Sequence, residues 1–168
     1  MDETVLKTLA MDFKLEALRK GIKLTFPTIG RSMLPLIRHN DRIEVVECDR
    51  RKLRTGDLII FKGAGGSAAK IIAHRLVKKI KKQTGYVLIT KGDSALSYDR
   101  GVSENNLIGK IIKIRKRNFC ISLDDIFGRI LNLIMFFLSV SSILPSGIFI
   151  LRKAKRLFKR NIVKAQAA

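Results

Sequence analysis

The sequence predicts a small, mainly β domain of barrel type with an amphipathic helix before it and a membrane helix after it. Three observations support this. Between Lys23 and Asn118, short apolar or alternating stretches follow one another with glycine turns between them and no helical period. Before Gly21, apolar residues fall at three- and four-residue spacing among charges. After Asn118, Ile130 to Leu151 is 22 residues without a charge. The 168 residues hold one modest domain plus an appendage, divided as 1–22, 23–118 and 119–168.

Residues 1–20 place Val5, Leu6, Leu9, Phe13 and Ala17 on one helical face, and Gly21 ends the helix. Acids at positions 2 and 3 and the lack of an apolar core exclude a signal peptide here. The expected role of this face is packing on the domain. Arg42-Ile43-Glu44-Val45 alternates as a half-buried strand does, and Asp57-Leu58-Ile59-Ile60-Phe61 is a continuous apolar run opened by Thr55-Gly56. Gly63 to Ala69 is a flexible loop, and it lacks the lysine and hydroxyl in register that a phosphate cradle needs. A long strand over Lys70–Ile80 follows, then the Thr84-Gly85 turn, a strand over Tyr86–Thr90 and another over Leu107–Ile114.

Composition limits the chemistry. A net charge of +20 favours anionic lipid, acidic protein or nucleic acid as neighbours and does not choose among them. Cys48, Cys120, His39 and His74 stand in no metal-ligand spacing, so neither a metal nor any other cofactor is expected, and no disulfide framework is indicated. Few aromatic residues are interleaved with the basic ones, so no nucleic-acid partner is expected. Over Ile130–Leu151, a straight helix crosses a bilayer of about 30 Å at about 1.5 Å per residue. Seven basic residues between Arg152 and Lys164 read as a mooring to anionic head groups. Cations flank the segment on both sides, so the charge bias leaves two arrangements open. Either the helix spans with the tail inside and the domain outside, or Leu144-Pro145-Ser146-Gly147 breaks it into a re-entrant or in-plane hairpin.

The reactive candidates centre on Gly30-Arg31-Ser32-Met33-Leu34-Pro35. A serine between a glycine and a proline sits in a constrained turn that fixes the direction of its oxygen. A hydroxyl attacks only when a base takes its proton and a third group orients that base. His74 is a candidate base, on the strand Ile71-Ile72-Ala73-His74-Arg75-Leu76-Val77. Two acids, Asp93 and Asp99, follow in Thr90-Lys91-Gly92-Asp93-Ser94-Ala95-Leu96-Ser97-Tyr98-Asp99, a loop leaving a strand.

The Ser-Met box at 30–35, Thr55-Gly56-Asp57-Leu58-Ile59-Ile60-Phe61, His74-Arg75, and Thr90-Lys91-Gly92-Asp93 with Asp99 together resemble the type I signal peptidases. The likeness is to the branch of endoplasmic reticulum, archaea and some bacteria that uses histidine where most bacterial enzymes use lysine, and it covers residues 24–116. It implies a serine endopeptidase cutting signal or leader peptides after small residues. It also implies Ser32 as nucleophile, His74 as general base, Asp99 as the triad acid, Asp93 as the first aspartate of its motif, and the Ser32 backbone N–H as an oxyanion donor. Members usually carry a serine where this chain has Gly30, and a membrane anchor before the Ser-Met box instead of after the domain.

Two other readings stand beside it. A Ser/Lys dyad like that of the self-cleaving repressors would use Lys70, which shares a strand face with His74 because four residues is an even step. A non-enzymatic basic β domain would bind nucleic acid or acidic partners. The leading reading places the protein at the cell membrane, with a peptide or preprotein as substrate and anionic lipid as neighbour.

Overall fold

The computed structural model describes residues 3–63, 70–83, 85–141, 143–151 and 153. Most of the Gly63–Ala69 loop, and the basic tail apart from Lys153, lie outside the described residues. The elements are helix α1 (Glu3–Arg19), strands β1 (Leu24–Pro27), β2 (Arg42–Val46), β3 (Leu58–Lys62), β4 (Ile71–Lys82), β5 (Gly85–Lys91), β6 (Val102–Ser103), β7 (Leu107–Arg115) and β8 (Cys120–Ser122), and helix α2 (Ile126–Val140). A further helix, α3, spans Ile143–Leu151. Single 3₁₀ turns fall at Arg50–Lys52 and Glu104–Asn106.

The strands form one curled, antiparallel half-barrel in the order β1-β2-β7-β3-β4-β5-β6, with β8 added to β7. The fold is mainly β, as the turn spacing predicts. β3 shows why a short strand can read as continuously apolar. Leu58 and Ile60 enter a core with Val45, Ile111, Ile114 and Met33, while Ile59 and Phe61 enter a second with Leu53, Leu76 and Leu88. Both faces of this strand are covered, so no position is left for a polar residue.

The turn carrying Ser32 lies between β1 and β2 and is closed at its base. Thr28 N–H donates to Asp41 O at 2.9 Å and Asn40 N–H to Thr28 O at 3.0 Å. The Thr28 hydroxyl is within hydrogen-bond distance of the carbonyls of both Arg38 (2.6 Å) and Asp41 (2.9 Å). Met33, Leu36 and Ile37 plug the same segment into the larger core. Lys116, just past β7, pairs with Asp41 and holds Leu36 O at 2.5 Å, tying the segment to the middle of the sheet. Ser32 therefore rides on a loop fixed at both ends and plugged underneath.

Three expectations need correction. In α1, Leu18 is buried and Met11 packs on the core, whereas Leu9 and Phe13 are exposed. The helix meets the body at its C-terminal end beside edge strand β1, and that contact selects the stripe containing Leu18. Next, the sheet runs past Asn118 into β8, and α2 is packed on the domain with Met135 in its core. Finally, the apolar stretch is not one membrane helix. α2 starts at Ile126, capped by Asp125, whose carboxylate accepts the Gly128 N–H at 2.6 Å, and ends at Val140. α3 follows at a bend of 72°. Pro145 gives the reason, because in a continuous helix its ring would strike the Ser141 carbonyl, whereas the first turn of a new helix accepts it. The break thus precedes Leu144-Pro145-Ser146-Gly147. Among the described residues no single helix is long and apolar enough to cross a membrane, although the bent pair together has the length and composition.

Candidate active site

Four separate segments bring one hydrogen-bonded line of side chains together. Ser32 comes from the β1–β2 loop, His74 from β4, Thr90 from β5 and Asp99 from the loop after β5. Ser32 Oγ lies 3.1 Å from His74 Nε2, and His74 Nδ1 lies 2.5 Å from Asp99 Oδ2. The Thr90 hydroxyl donates to the same carboxylate oxygen at 2.7 Å. Ser32 is exposed, the His74 side chain is 12% exposed, and the ring of Phe61 meets the imidazole edge to face at 6.2 Å between centroids. The imidazole is thus walled on its rear while the hydroxyl faces outward.

The electrostatics fix the tautomer. Burial pushes the Asp99 carboxyl up, but hydrogen bonds from His74 and Thr90 and the nearby imidazole charge outweigh it and hold it below the ordinary carboxylate value. An ionised carboxylate only accepts, so His74 Nδ1 donates to it and the Nε2 lone pair faces Ser32. That is the arrangement in which a neutral imidazole can remove the serine proton.

The Thr90–Asp99 segment closes on itself and then on Ser32. Asp99 N–H donates to Thr90 O at 2.8 Å, making a loop with a fixed base. Gly92 lies so near Ser32 that a Cβ there would come within 2.8 Å of Ser32 O, 3.0 Å of Ser32 Cβ and 3.1 Å of His74 Nε2, so only glycine fits. Ser94 N–H donates to Ser32 O at 2.8 Å. The Ser94 hydroxyl lies 2.7 Å from Arg31 O and 3.1 Å from Ser32 O. Because the Arg31–Ser32 peptide is trans, gripping its carbonyl sets the opposite direction of the Ser32 N–H. Gly30, at φ +108°, supplies the backbone turn that leads into this peptide.

Of the two acids singled out in the sequence, Asp99 reaches His74 and Asp93 does not. Asp93 is fully buried and bidentate with Arg75, at 2.7 Å from Nε and 2.8 Å from Nη2. Arg75 Nη1 donates to Gly56 O at 2.9 Å and also to the Asn132 side-chain oxygen on α2. Lys91 is likewise buried, with Nζ 2.8 Å from Ser139 O on α2; burial lowers its affinity for a proton and Asp93 opposes this. Behind this hydrogen-bonded line, then, a second layer of charges ties β4 and the Asp93 loop to α2. Lys70 is exposed ahead of β4, and it is His74 that meets Ser32.

Sequence reasoning missed Thr90, Gly92, Ser94 and Asn132 as site residues. The first three lay in plain view in the Lys-Gly-Asp stretch, but their roles are distances across the fold. Asn132 had a signal, as an amide within a long apolar run that demands a polar partner. Two cavities, of about 620 and 550 Å³, are lined by other residues, the first by Leu15, Arg19 and Cys48, the second by Leu36, His39 and Phe119. Ser32, His74 and Asp99 line neither of these two, and Ser32 is exposed at the surface. Both cysteines are free, and burial, with Asp57 nearby, pushes the Cys48 thiol up to about 11. Among the described residues no three His, Cys, Asp or Glu side chains are grouped to hold a metal ion.

No protein-family model matches the chain, and no curated protein matches it.

Proposed function

We propose that the chain is a membrane-associated serine endopeptidase working as the type I signal peptidases it resembles do, with Ser32, His74 and Asp99 as its catalytic residues. The observation that carries this reading is the unbroken line from Thr90 through Asp99 and His74 to an exposed Ser32 hydroxyl. His74 Nε2 takes the Ser32 proton as Oγ bonds to the scissile carbonyl carbon, and the carbonyl oxygen becomes an oxyanion facing the Ser32 N–H. Asp99 stabilises the imidazolium formed. His74 then protonates the leaving amine as the C–N bond breaks, and a water activated by the same nitrogen hydrolyses the acyl-serine and frees the hydroxyl. The family resemblance supplies the substrate class, a leader or signal peptide with a small residue before the cut.

The test uses the full chain with a synthetic leader peptide bearing alanine before the cut, presented in anionic vesicles. Wild type is expected to cut once, after the alanine, and Ser32→Ala and His74→Ala not at all. Lys70→Ala is expected to keep most activity. Cleavage that survives His74→Ala and is lost in Lys70→Ala would move the chain to the Ser/Lys dyad class.

A further inference from the structure

Helix α2 is built inside out. Gly128, Asn132, Met135 and Ser139 face the domain and are buried. Ile126, Phe127, Ile130, Leu133, Ile134 and Phe137 form a stripe on the opposite side, each at least half exposed, with Phe127 at 85%. A helix on the surface of a protein in water turns its apolar side inward, and here an amide and a hydroxyl are turned inward. In α3, Phe149, Ile150 and Leu151 are exposed too. So large a continuous apolar surface marks a contact with lipid or protein.

We propose that α2 and α3 lie along an anionic bilayer surface as an in-plane anchor, with the outward stripe of α2 in lipid and the peptidase domain seated over it. This deepens the membrane part of the proposed function and rests on it there alone, since seating can be measured without catalysis. Three observations favour this arrangement over a crossing. α2 has 15 residues, about 22 Å at about 1.5 Å per residue, against a hydrocarbon core of about 30 Å. Its contact with the domain runs from Gly128 to Ser139 and includes the bonds of Asn132 to Arg75 and Ser139 to Lys91, so a vertical α2 would draw a charged body into hydrocarbon. The 72° bend into α3 ends any straight path across. Charge complementarity selects the occupant. Arg129 and Lys153, both exposed, flank the apolar stretch at either end, and the chain carries +20 overall, which suits anionic head groups.

The chain has no tryptophan, so single reporters can be placed cleanly. Wild type and Ser32→Ala are expected to float equally with vesicles containing phosphatidylglycerol and more weakly with neutral phosphatidylcholine vesicles. The double variant Leu133→Ser with Phe137→Ser is expected to lose at least about tenfold in vesicle affinity with an unchanged melting temperature, because both side chains are exposed. In separate Phe127→Trp and Phe137→Trp proteins, brominated lipids are expected to quench both at the same shallow depth. Depths differing by about 15 Å, the rise of ten helical residues, would show a crossing helix and overturn the proposal. So would a stable dimer that ignores vesicles and dissociates in the double variant, or vesicle binding indifferent to lipid charge. Loss of peptide cleavage with vesicle binding intact would sink the peptidase reading and leave the anchor standing.

Discussion

Thr90 and Ser94 stand outside the set Ser32, His74 and Asp99, yet Thr90 bonds the Asp99 side chain and Ser94 the backbone on either side of the Ser32 N–H. Thr90 shares Asp99 Oδ2 with His74, and the Ser94 hydroxyl holds the carbonyl of the peptide whose N–H belongs to Ser32. Ser94→Ala is expected to lower kcat about tenfold with little change in KM, the signature of a positioning residue, and Ser94→Thr to restore much of it. Steady-state kinetics on the leader peptide checks both. The two aspartates separate by their partners. Asp99→Asn is expected to slow cleavage by a factor on the order of 10⁴ while the protein stays folded. Asp93→Asn uncovers a buried guanidinium and is expected to cost about 3–5 kcal/mol of stability, read as a large fall in melting temperature. Asp99 also sets an acid limit. Its folded value lies below the unfolded 3.8, so its contribution is fully present above pH 3.8 and is lost as pH falls through the lowered value. Denaturant melts are expected to show the stability gap between wild type and Asp99→Asn closing below that pH.

At the scale of elements, α2 joins the rear of the site to the outside. Asn132 and Ser139 receive Arg75 and Lys91, one neighbouring His74 in β4 and the other leading the Asp93 loop. Asn132→Ala takes from Arg75 Nη1 its side-chain acceptor and leaves it the Gly56 carbonyl at 2.9 Å and the Asn132 main-chain carbonyl at 3.2 Å, so it is expected to cost about 1 kcal/mol, measurable by thermal melts. How much of this was legible follows from what each element needed. β2, β3, β4, β5 and β7 were readable because glycine turns and alternation are local. Ser32, His74 and Asp99 were legible together only through the family resemblance; the residues alone offered Asp93 equally, and what separates the two acids in space is that Arg75 turns inward to Asp93 while Asp99 meets His74. The buried stripe of α1 was not readable, since Leu9 and Phe13 are as apolar as Met11 and Leu18 and only the position of β1 selects between them. α2 misled because counting charges treats Asn132 and Ser139 as neutral residues of a membrane span, when they are its docking face.

For the whole molecule, the half-barrel works as a frame with the Ser32 hydroxyl exposed on a plugged loop and an apolar, basic-flanked helix pair appended to it. Such a layout suits a substrate presented as an extended chain near a bilayer. Everything in it depends on whether Ser32 is a nucleophile. The most direct measurement is intact-mass and peptide-mapping analysis of the full-length protein after exposure to a serine-directed acylating probe. One adduct is predicted, on Ser32, abolished in Ser32→Ala and His74→Ala and strongly slowed in Asp99→Asn. A wild type that takes up no adduct, or one that carries it elsewhere and keeps it in Ser32→Ala, would contradict the account.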